Sequence, residues 1–549
     1  MSAKAITTNT LFYGDNLPIL RDHIQDESIA LIYLDPPFNS NRSYNVLFRE
    51  EGGLESEAQI SAFDDTWHWD KVASHTYHEI IQNAPLRVAD MIGALHTFIG
   101  ENQMMAYLVM MTTRLVELHR VLKPTGSLYL HCDPTASHYL KMILDMVFGV
   151  QNFQNEIIWK RTSSHSDAKK YPKITDTLLF YTKSANFTWN KTFGVYDENY
   201  LITHYQSVDS DGRRFQYDNL VKPKGSVGYF YTLLGCQPPP NGWRMPESRA
   251  KQWLEAGRIE IPPNGKVPRF RRFLDEMKGT VIPNLWTDIP PINSQAKDAL
   301  GYPTQKPLEL LERIIQISSN KGDFILDPFC GCGTAIAAAQ KLDRHWIGID
   351  ITYLAISLQK YRLKDAFNIT PGKDYQVFGE PVDLTSAKQL AADNRYQFQW
   401  WACGMIGAMP IGGEQGDKKG KKGKDLGIDG KINFIDDAKG GPKSVLVQVK
   451  SGHVKSGDMR DLHGSVDREN AAIGVFITLE QPTSEMTKEA LSAGYYSSEL
   501  WQKDYPRIQI LTVEQLFEGE RVQMPPAHGT FKKAEKVKKS EGKQNKLGI

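Results

Sequence analysis

The sequence is poor in cysteine, contains no long apolar run and has no excess of charge of one sign. Five cysteines in 549 residues are too few for a disulfide scaffold, so a reducing, cytoplasmic environment is expected. No apolar run approaches the roughly 18 residues of a membrane-spanning helix, and residues 1–16 lack the apolar centre of a signal peptide. The net charge of +1 excludes a uniformly basic coat for nucleic acid, although it allows local basic patches.

The length and the charge distribution indicate several domains. At about 150 residues per domain, the chain has room for three or four, and a hydrophobic share of 41% is enough for sizeable cores. Residues 530–549 hold seven lysines and two glutamates, so we expect a disordered tail that aids solubility or weakly tethers the chain to phosphates. A Gly/Lys-rich stretch at 412–430 predicts a flexible loop.

A short β-rich apolar run, residues 28–34, ends at Asp35-Pro36-Pro37-Phe38. Two prolines cannot continue a strand ladder, so the run predicts a buried strand with Asp35 at its carboxyl end, where open α/β sheets bind ligands. A carboxylate accepts a hydrogen bond from an amine, the Pro-Pro turn offers backbone carbonyls, and an aromatic ring stacks on a planar base. The motif therefore predicts a pocket for an exocyclic amino group, the alternative being an ordinary proline-rich strand end.

A second predicted strand, residues 323–326, leads into a glycine-rich turn, Asp327-Pro328-Phe329-Cys330-Gly331-Cys332-Gly333-Thr334, and then an alanine-rich helix. This pattern is typical of nucleotide-cofactor sites, because glycine lets the backbone approach a ligand closely. The next strand ends at Asp350, close to the position expected of a ribose-hydroxyl acceptor after such a turn. The turn lacks the features of a pyrophosphate site, which favours an adenosine cofactor without phosphates. Cys330 and Cys332 lack metal-ligand spacing and are interpreted as small turn residues.

With these motifs in this order, the chain resembles the β class of amino-group DNA methyltransferases, which use S-adenosylmethionine and include the modification subunits of type III restriction systems. The Asp-Pro-Pro-Phe motif comes first, and the glycine-rich turn follows it much later in the chain. Further matches are Tyr13-Gly14-Asp15-Asn16, residues 120–127 leading to His131-Cys132-Asp133, and Thr304-Gln305-Lys306-Pro307. The resemblance covers about residues 11–160 and 302–361.

The resemblance implies S-adenosylmethionine as the cofactor and double-stranded DNA as the partner. It implies that Asp35 and the carbonyl of Pro36, in the turn completed by Pro37, hold the target amino group while Phe38 stacks on the base. The cofactor pocket it implies is lined by Asp15, Thr304, Gln305, Lys306, Asp327, Phe329, Gly331, Gly333 and Asp350. As alternatives, Asp15 can cap the following helix and Lys306 can be an exposed surface residue.

The expected reaction is a direct displacement at the sulfonium methyl group by the nitrogen of a base that has left the duplex stack. No cysteine follows a proline, which disfavours the Pro-Cys nucleophile of C5-cytosine enzymes. Aspartate at the first motif position resembles adenine-N6 enzymes, since many cytosine-N4 enzymes carry serine there. Adenine N6 is therefore preferred, while cytosine N4, an RNA substrate and non-catalytic DNA binding are the alternatives.

The segment between the two motif regions predicts target recognition. Residues 161–301 contain no cofactor motif and interleave basic with aromatic residues, as in the RFRRF run at Arg269–Phe273, which suits phosphate and base contacts. A variable, solvated insertion is the alternative. The predicted domains are a methyltransferase catalytic part (1–160), the recognition region (161–301), a cofactor part (302–385), a nuclease-like domain (386–525) and a disordered basic tail (526–549).

The C-terminal region carries a third motif. Asp429 precedes a predicted strand that ends in Gln448-Val449-Lys450. Over about residues 396–518 this resembles the Mrr-type branch of the PD-(D/E)xK nucleases, with glutamine in place of glutamate. The resemblance implies that Asp429 and Gln448 bind Mg²⁺ with the Val449 carbonyl, and that Lys450 orients water or stabilises the phosphate. Cleavage of unmodified DNA and a remnant that only binds DNA both stay open.

The sequence thus predicts an α/β protein with a permuted Rossmann-like methyltransferase sheet, a target-recognition insertion and a C-terminal restriction-endonuclease-like α/β domain. A homodimer and a restriction-system partner are the two assemblies left open, and no membrane association is expected.

Overall fold

The computed structural model describes residues 6–36, 68–163, 171–292, 305–411, 427–434, 436 and 443–526, together with the backbone of strands at 43–49 and 55–64. Several predicted features lie outside the described residues: Pro37, Phe38, Thr304, the Gly/Lys-rich stretch at 412–426 and the tail from 527. The chain divides into two compact units, Met1–Asn190 with Asn284–Ile549, and Lys191–Pro283. All five cysteines are free thiols, and no helix in the described part of the chain is long and apolar enough to span a membrane.

The elements follow one another in chain order. Up to residue 163 they are β1 (Thr10–Tyr13), α1 (Asn16–His23), β2 (Ile29–Leu34), β3 (Ser43–Arg49), β4 (Glu55–Asp64), α2 (Lys71–Asn83), α3 (Leu86–Ile99), α4 (Gln103–Val121), β5 (Leu122–Cys132), α5 (Ser137–Phe148) and β6 (Phe153–Lys160). Residues 171–292 contain β7 (Thr175–Thr182), β8 (Phe193–Gly194), α6 (Glu198–His204), β9 (Ser207–Val208), β10 (Arg214–Asn219), α7 (Glu247–Glu255), β11 (Ile259–Glu260), β12 (Arg269–Phe273), β13 (Thr280–Val281) and β14 (Leu285–Trp286).

The remaining elements lie beyond residue 304. Residues 305–411 contain α8 (Leu308–Ser318), β15 (Phe324–Asp327), α9 (Thr334–Lys341), β16 (His345–Asp350), α10 (Tyr353–Phe367), β17 (Gln376–Phe378), α11 (Leu384–Asp393), α12 (Arg395–Met405) and β18 (Met409–Pro410). Residues 427–526 contain β19 (Gly430–Phe434), β20 (Lys443–Lys450), α13 (Ser456–Arg468), β21 (Ile473–Thr478), α14 (Ser484–Ser492), β22 (Tyr495–Ser498), β23 (Lys503–Pro506), β24 (Ile508–Thr512) and α15 (Val513–Phe517).

A large mixed sheet organises the first unit. Among the described residues it has nine strands in the order β14-β6-β7-β5-β2-β15-β16-β1-β17. The strands from β5 to β17 run parallel, whereas β7 is antiparallel to both β5 and β6. Every residue of β2 is buried, as expected for a parallel strand that is covered on both faces. The predicted α/β class is confirmed. The sheet also includes β7 and β14, although both fall within the segment assigned to recognition.

The pairing of β2 with β15 brings the two sequence motifs together. Leu31 is in register with Ile325, and Ile32 with Leu326. Because the two strands are parallel, their carboxyl ends lie at the same edge of the sheet. Asp35, which follows β2, and Asp327, the last residue of β15, are therefore neighbours despite their separation in sequence.

The C-terminal residues form a second sheet in the same unit, in the order β18-β19-β20-β21-β24. The predicted strand before Lys450 is β20. Helix α12 connects this sheet to the large one, because residues of α10 and α12 share one apolar core. Its members include Tyr353, Leu354, Leu358, Phe398, Trp401, Val447 and Val475.

The unit formed by Lys191–Pro283 has its own small core. A four-stranded antiparallel sheet, in the order β11-β12-β10-β9, belongs to it. The buried residues of this core are Leu220, Leu233, Trp243, Met245, Ala250 and Ile259.

We expect Trp401→Ala to destabilise the first unit strongly. Trp401 is 2% exposed and its ring contacts those of Phe398 and Phe517, so truncation leaves a cavity that costs about 3–5 kcal/mol. The midpoint of chemical denaturation measures the effect. The matched control is Trp501→Ala, because Trp501 is 47% exposed and its loss should change stability by no more than about 0.5 kcal/mol. Equal midpoints for the two variants would contradict the shared core.

Candidate active site

One cavity lies at the carboxyl ends of β1, β2, β15 and β16 and collects most of the predicted site residues. Those that line it are Asp15, Asp35, Pro36, Gln305, Lys306, Asp327, Phe329, Gly331 and Asp350. Gly333 does not line the cavity. It stands at the N-terminus of α9 instead, with φ +74°.

The glycine-rich turn requires its glycines. Gly331 and Gly333 have φ of +47° and +74°, in the left-handed region that favours glycine. A Cβ atom at Gly333 would lie 2.7 Å from Cγ of Gln359. Helix α10 holds the turn, since Gln359 donates to the Gly331 carbonyl (2.8 Å) and Arg362 donates to the Cys332 carbonyl (3.1 Å). The turn is therefore rigid before any ligand arrives.

Asp350 is oriented by hydrogen bonds from both sides. Its Oδ2 accepts from the backbone N–H of Gly331 at 2.8 Å. Its Oδ1 accepts from the backbone N–H and the hydroxyl of Thr352, each at 2.8 Å. Burial raises the pKa of this carboxyl group, although the donors oppose the shift. The arrangement leaves a fixed acceptor at the edge of the cavity.

Asp327 lies deepest among the cavity carboxylates. Its side chain is 3% exposed, and Oδ1 accepts from the backbone N–H of Phe329 at 3.2 Å. Burial raises the pKa of Asp327 well above its ordinary range, and the negative charges of Asp35 and Asp350 add to the shift. The protein therefore bears an electrostatic cost whenever this group is ionised.

Asp35 forms an ion pair with the ammonium group of Lys306. The two side chains are only 16% and 10% exposed, so the pair is poorly screened by solvent. The sequence predicted that Lys306 lines the cofactor pocket, and it does line the cavity, but its contact with Asp35 was not predicted. No local pattern signals a pair whose members are 271 residues apart.

Asp15 both caps a helix and reaches the cavity. Its carboxylate accepts from the backbone N–H of Leu17 at 2.9 Å, which confirms the capping alternative. Arg114 of α4 binds Asp15 at 2.6 Å and Asn16 at 2.6 Å. Asn16 in turn donates to the Pro328 carbonyl at 2.7 Å. Sequence reasoning missed Arg114, which lies within α4 and belongs to none of the matched motifs.

A buried polar chain behind Asp35 was also missed. Tyr33, which lines the cavity, is bonded to His131, and His131 is bonded to Asp176. The sequence marked His131 only as part of a matching motif. Asp176 lies on β7, in the segment assigned to recognition, so its partnership with His131 depends on the sheet pairing.

The nuclease-like motif is assembled, but its lysine is engaged elsewhere. Asp429 immediately precedes β19, and its Oδ2 accepts from the backbone N–H of Val449 at 2.7 Å. Lys450 donates to Asp458 at 2.7 Å, and Asp458 is 5% exposed. Within the described residues, no group of three or more His, Cys, Asp or Glu side chains could hold a metal ion.

Many arginines of the unit Lys191–Pro283 are used within that unit. Arg271 pairs with Glu260 and Arg272 with Asp218, and both arginines belong to the RFRRF run. Arg213 pairs with Asp275 at 2.8 Å and lies over the ring of Phe273. Basic and aromatic residues alternate here partly because they pack against one another.

Models of known protein families match two regions of the chain. A family model described as DNA methylase matches residues 29–358, which is more than half of the chain. A second model, described as NACHT-associated inactive Restriction Endonuclease 1, matches residues 413–518.

The chain is also similar to individual methyltransferases. It is 27% identical over 379 residues to the type II methyltransferase M.EcaI of Enterobacter cloacae, covering 68% of this chain and 73% of that protein. It is 24% identical to the StyLTI Mod subunit, a type III restriction-modification enzyme of Salmonella typhimurium, covering 61% of this chain and half (50%) of that protein. A solved structure, the cytosine-N4-specific PvuII DNA methyltransferase, matches at a TM-score of 0.31 and 14% identity, covering 64% of this chain and 86% of that chain.

We expect Asp327→Asn to stabilise the unliganded protein at neutral pH. Burial raises the pKa of Asp327 in the folded protein above its ordinary value of 3.8. The wild-type side chain therefore favours folding most at a pH below 3.8, and this contribution to stability is lost as the pH rises through the folded-state pKa. Asparagine does not ionise and keeps an oxygen for the Phe329 N–H. The variant should therefore melt above wild type near pH 8, and the difference should shrink toward roughly pH 5. A pH-independent difference would contradict the assignment.

Proposed function

We infer the function from the family of the chain, which belongs to the N6/N4 DNA methylase family of S-adenosylmethionine-dependent enzymes. We propose that it transfers a methyl group to the exocyclic N6 of adenine in DNA as part of a restriction-modification system. The observation that carries the proposal is the single cavity in which Asp35, Gly331 and Asp350 meet. It combines an acceptor for an amino group with a turn and a carboxylate suited to an adenosine cofactor.

The residues present fit S-adenosylmethionine. The Asp350 carboxylate can accept from ribose hydroxyls, and Gly331 presents backbone without a side chain to the cavity beside it. Asp15, Gln305 and Phe329 complete the proposed contacts around the cofactor, with Thr304 outside the described residues. When bound, the cofactor supplies a sulfonium methyl group for displacement by the base nitrogen.

The residues at the end of β2 orient the amine. The Asp35 carboxylate accepts from an exocyclic N–H, and the Pro36 carbonyl is the proposed second acceptor. The Lys306 ammonium pairs with the Asp35 carboxylate, so the two groups enter the proposed site together. Phe38, outside the described residues, is proposed to stack on the flipped base, which returns about 1–3 kcal/mol. Alignment of the nitrogen with the methyl carbon is the main source of rate enhancement.

Adenine is preferred over cytosine on the identity of the first motif residue. Asp35 provides a charged acceptor, and the resemblance associates aspartate at this position with adenine-N6 enzymes. The runner-up is an N4-cytosine methyltransferase, because both bases present an exocyclic amine. Target recognition is proposed for the region 161–301, of which Lys191–Pro283 is the compact part. The permuted motif order, with the amine motif before the cofactor turn, is part of the same proposal.

For the C-terminal module we favour DNA binding without cleavage. In the nuclease reading, Lys450 must face the attacking water or the phosphate, but its ammonium is held by the buried Asp458. The description of the matching family as inactive points the same way. The restriction-endonuclease-like fold of residues 386–525 and its Mg²⁺ site at Asp429 and Gln448 stay predictions.

We expect Asp35→Ala to abolish methyl transfer while cofactor binding survives. Removing the acceptor of the target amine should lower the rate by at least about 100-fold, whereas Asp350 and the glycine-rich turn are untouched. Nucleoside analysis of DNA after reaction with labelled cofactor measures both the rate and the modified base. Asp26→Ala is the control, since Asp26 is 74% exposed. Near-wild-type transfer by Asp35→Ala would overturn the proposal, and detection of N4-methylcytosine would favour the runner-up over adenine methylation.

We expect no Mg²⁺-dependent cleavage of unmethylated plasmid DNA by the wild-type chain. The reason is the Lys450–Asp458 pair, which neutralises the only lysine of the motif. Gel analysis of plasmid nicking in the presence of Mg²⁺ or Mn²⁺ measures the outcome. Cleavage by wild type that disappears in both Asp429→Ala and Lys450→Ala would instead establish a fused nuclease.

A further inference from the structure

Three buried side chains on neighbouring strands form a hydrogen-bonded chain that ends at the cavity. The Tyr33 hydroxyl on β2 lies 2.9 Å from Nδ1 of His131 on β5. Nε2 of His131 lies 3.2 Å from Oδ2 of Asp176 on β7. The three residues are 3%, 0% and 2% exposed, so water does not compete for these bonds. Tyr33 lines the cavity and stands two positions before Asp35, on the same side of the strand.

The outer end of the chain is fixed by a charge. Nε of Arg161 lies 3.2 Å from Oδ1 of Asp176, so each carboxylate oxygen faces a different partner. Burial is the largest single influence on the pKa of Asp176 and raises it, but His131, Lys306 and Arg161 together lower it below its ordinary value. Asp176 is therefore an ionised acceptor.

This order determines the direction of the hydrogen bonds. An ionised carboxylate only accepts, so Nε2 of His131 must carry a proton. We take His131 as a neutral imidazole, in which Nδ1 then has a lone pair and the Tyr33 hydroxyl donates to it. The Tyr33 oxygen is left with lone pairs and no proton to offer to the cavity.

We propose that Asp176 and His131 are positioning residues that fix Tyr33 as a hydrogen-bond acceptor beside Asp35. With the Asp35 carboxylate and the Pro36 carbonyl, this end of β2 then presents acceptors only, which selects an amino group and rejects a carbonyl. The proposal rests on the proposed methylation of an exocyclic amine and adds the groups that define the amine side of the cavity.

The relay formed by Tyr33, His131 and Asp176 predicts a specific rearrangement of protons in an Asp176→Asn variant. No hydrogen bond joins Arg161 to Oδ1, but the nearby guanidinium charge favours the amide oxygen at that position, so the amide nitrogen is expected at the Oδ2 position, where it donates to Nε2 of His131. The imidazole proton then moves to Nδ1, which donates to Tyr33 and turns the hydroxyl proton away from His131. The wall beside Asp35 would offer a donor to an incoming amine, as when a wrong imidazole tautomer is imposed on a catalytic triad.

A double-mutant cycle tests the relay. Tyr33→Phe removes the acceptor and should lower kcat about tenfold, the effect of one hydrogen bond. Asp176→Asn inverts the polarity and should lower kcat about 100-fold, as for a misdirected donor. If Asp176 acts through Tyr33, the double variant should recover to the level of Tyr33→Phe, because phenylalanine has no hydroxyl to misdirect.

Two further measurements separate positioning from a structural role. The dissociation constant of S-adenosylmethionine should stay close to wild type in Tyr33→Phe, and the unliganded melting temperature should fall by no more than in the control, since both variants lose one buried hydrogen bond. The matched control is Tyr129→Phe, because Tyr129 is equally buried (2%) on β5 but binds Ser318 at 2.8 Å and does not line the cavity. It should retain wild-type kcat.

Additive losses in the double variant, or a wild-type kcat for Tyr33→Phe, would overturn the relay. The proposed function fails separately, through an active Asp35→Ala variant. An inactive Asp35→Ala variant together with a fully active Tyr33→Phe variant refutes the relay alone.

Discussion

The parallel pairing of β2 with β15 is the constraint on which the site depends. It places the ends of two strands that are distant in the chain side by side, so that Asp35 and Asp327 face one cavity. Between the two motifs the chain adds β5, β6, β7 and β14 to the sheet, all of them beyond β2, so no strand separates β2 from β15. The unit Lys191–Pro283 leaves this register undisturbed, because it forms its own core and the chain rejoins the sheet directly afterwards through β14.

The same pairing creates an electrostatic difficulty. Carboxylates from four strand ends converge, and two of them, Asp327 and Asp350, have pKa values raised by burial. The protein offsets this with cations from other elements: Lys306 beside Asp35 and Arg114 beside Asp15. A cavity rich in negative charge and acceptors is suited to a cationic sulfonium cofactor and to an amine donor, so the arrangement that costs stability is the one that the proposed reaction uses.

How far the sequence predicted this site depends on the range of each signal. Strand ends, glycines with positive φ and the acid that closes the strand after the glycine-rich turn are local signals, and the structure places them where the motifs indicated. The Lys306–Asp35 pair and the Tyr33–His131–Asp176 chain depend on strand order, which no local pattern encodes. The RFRRF run shows that a local signal can also mislead. Its composition suggested DNA contacts, but Arg271 and Arg272 pair with acids of their own unit.

The C-terminal module has a structural reason to be present that is independent of cleavage. Gln397 of α12 accepts from the backbone N–H of Tyr353 at 2.8 Å, one of the amides at the start of α10 that have no partner within the helix. Further along α12, Cys403 contacts the Asp429 carbonyl at 3.5 Å. The helix thus joins the segment after Asp350 to the nuclease-like motif.

Removing the module would uncover the apolar face of α10 and strip the Tyr353 amide of its partner, both next to the cofactor turn that α10 holds in place. The cost of that loss would fall on the methyltransferase site, because Gln359 of the same helix fixes the Gly331 carbonyl. The module can therefore lose nuclease chemistry, by the pairing of Lys450 with Asp458, and still be required for the methyltransferase fold.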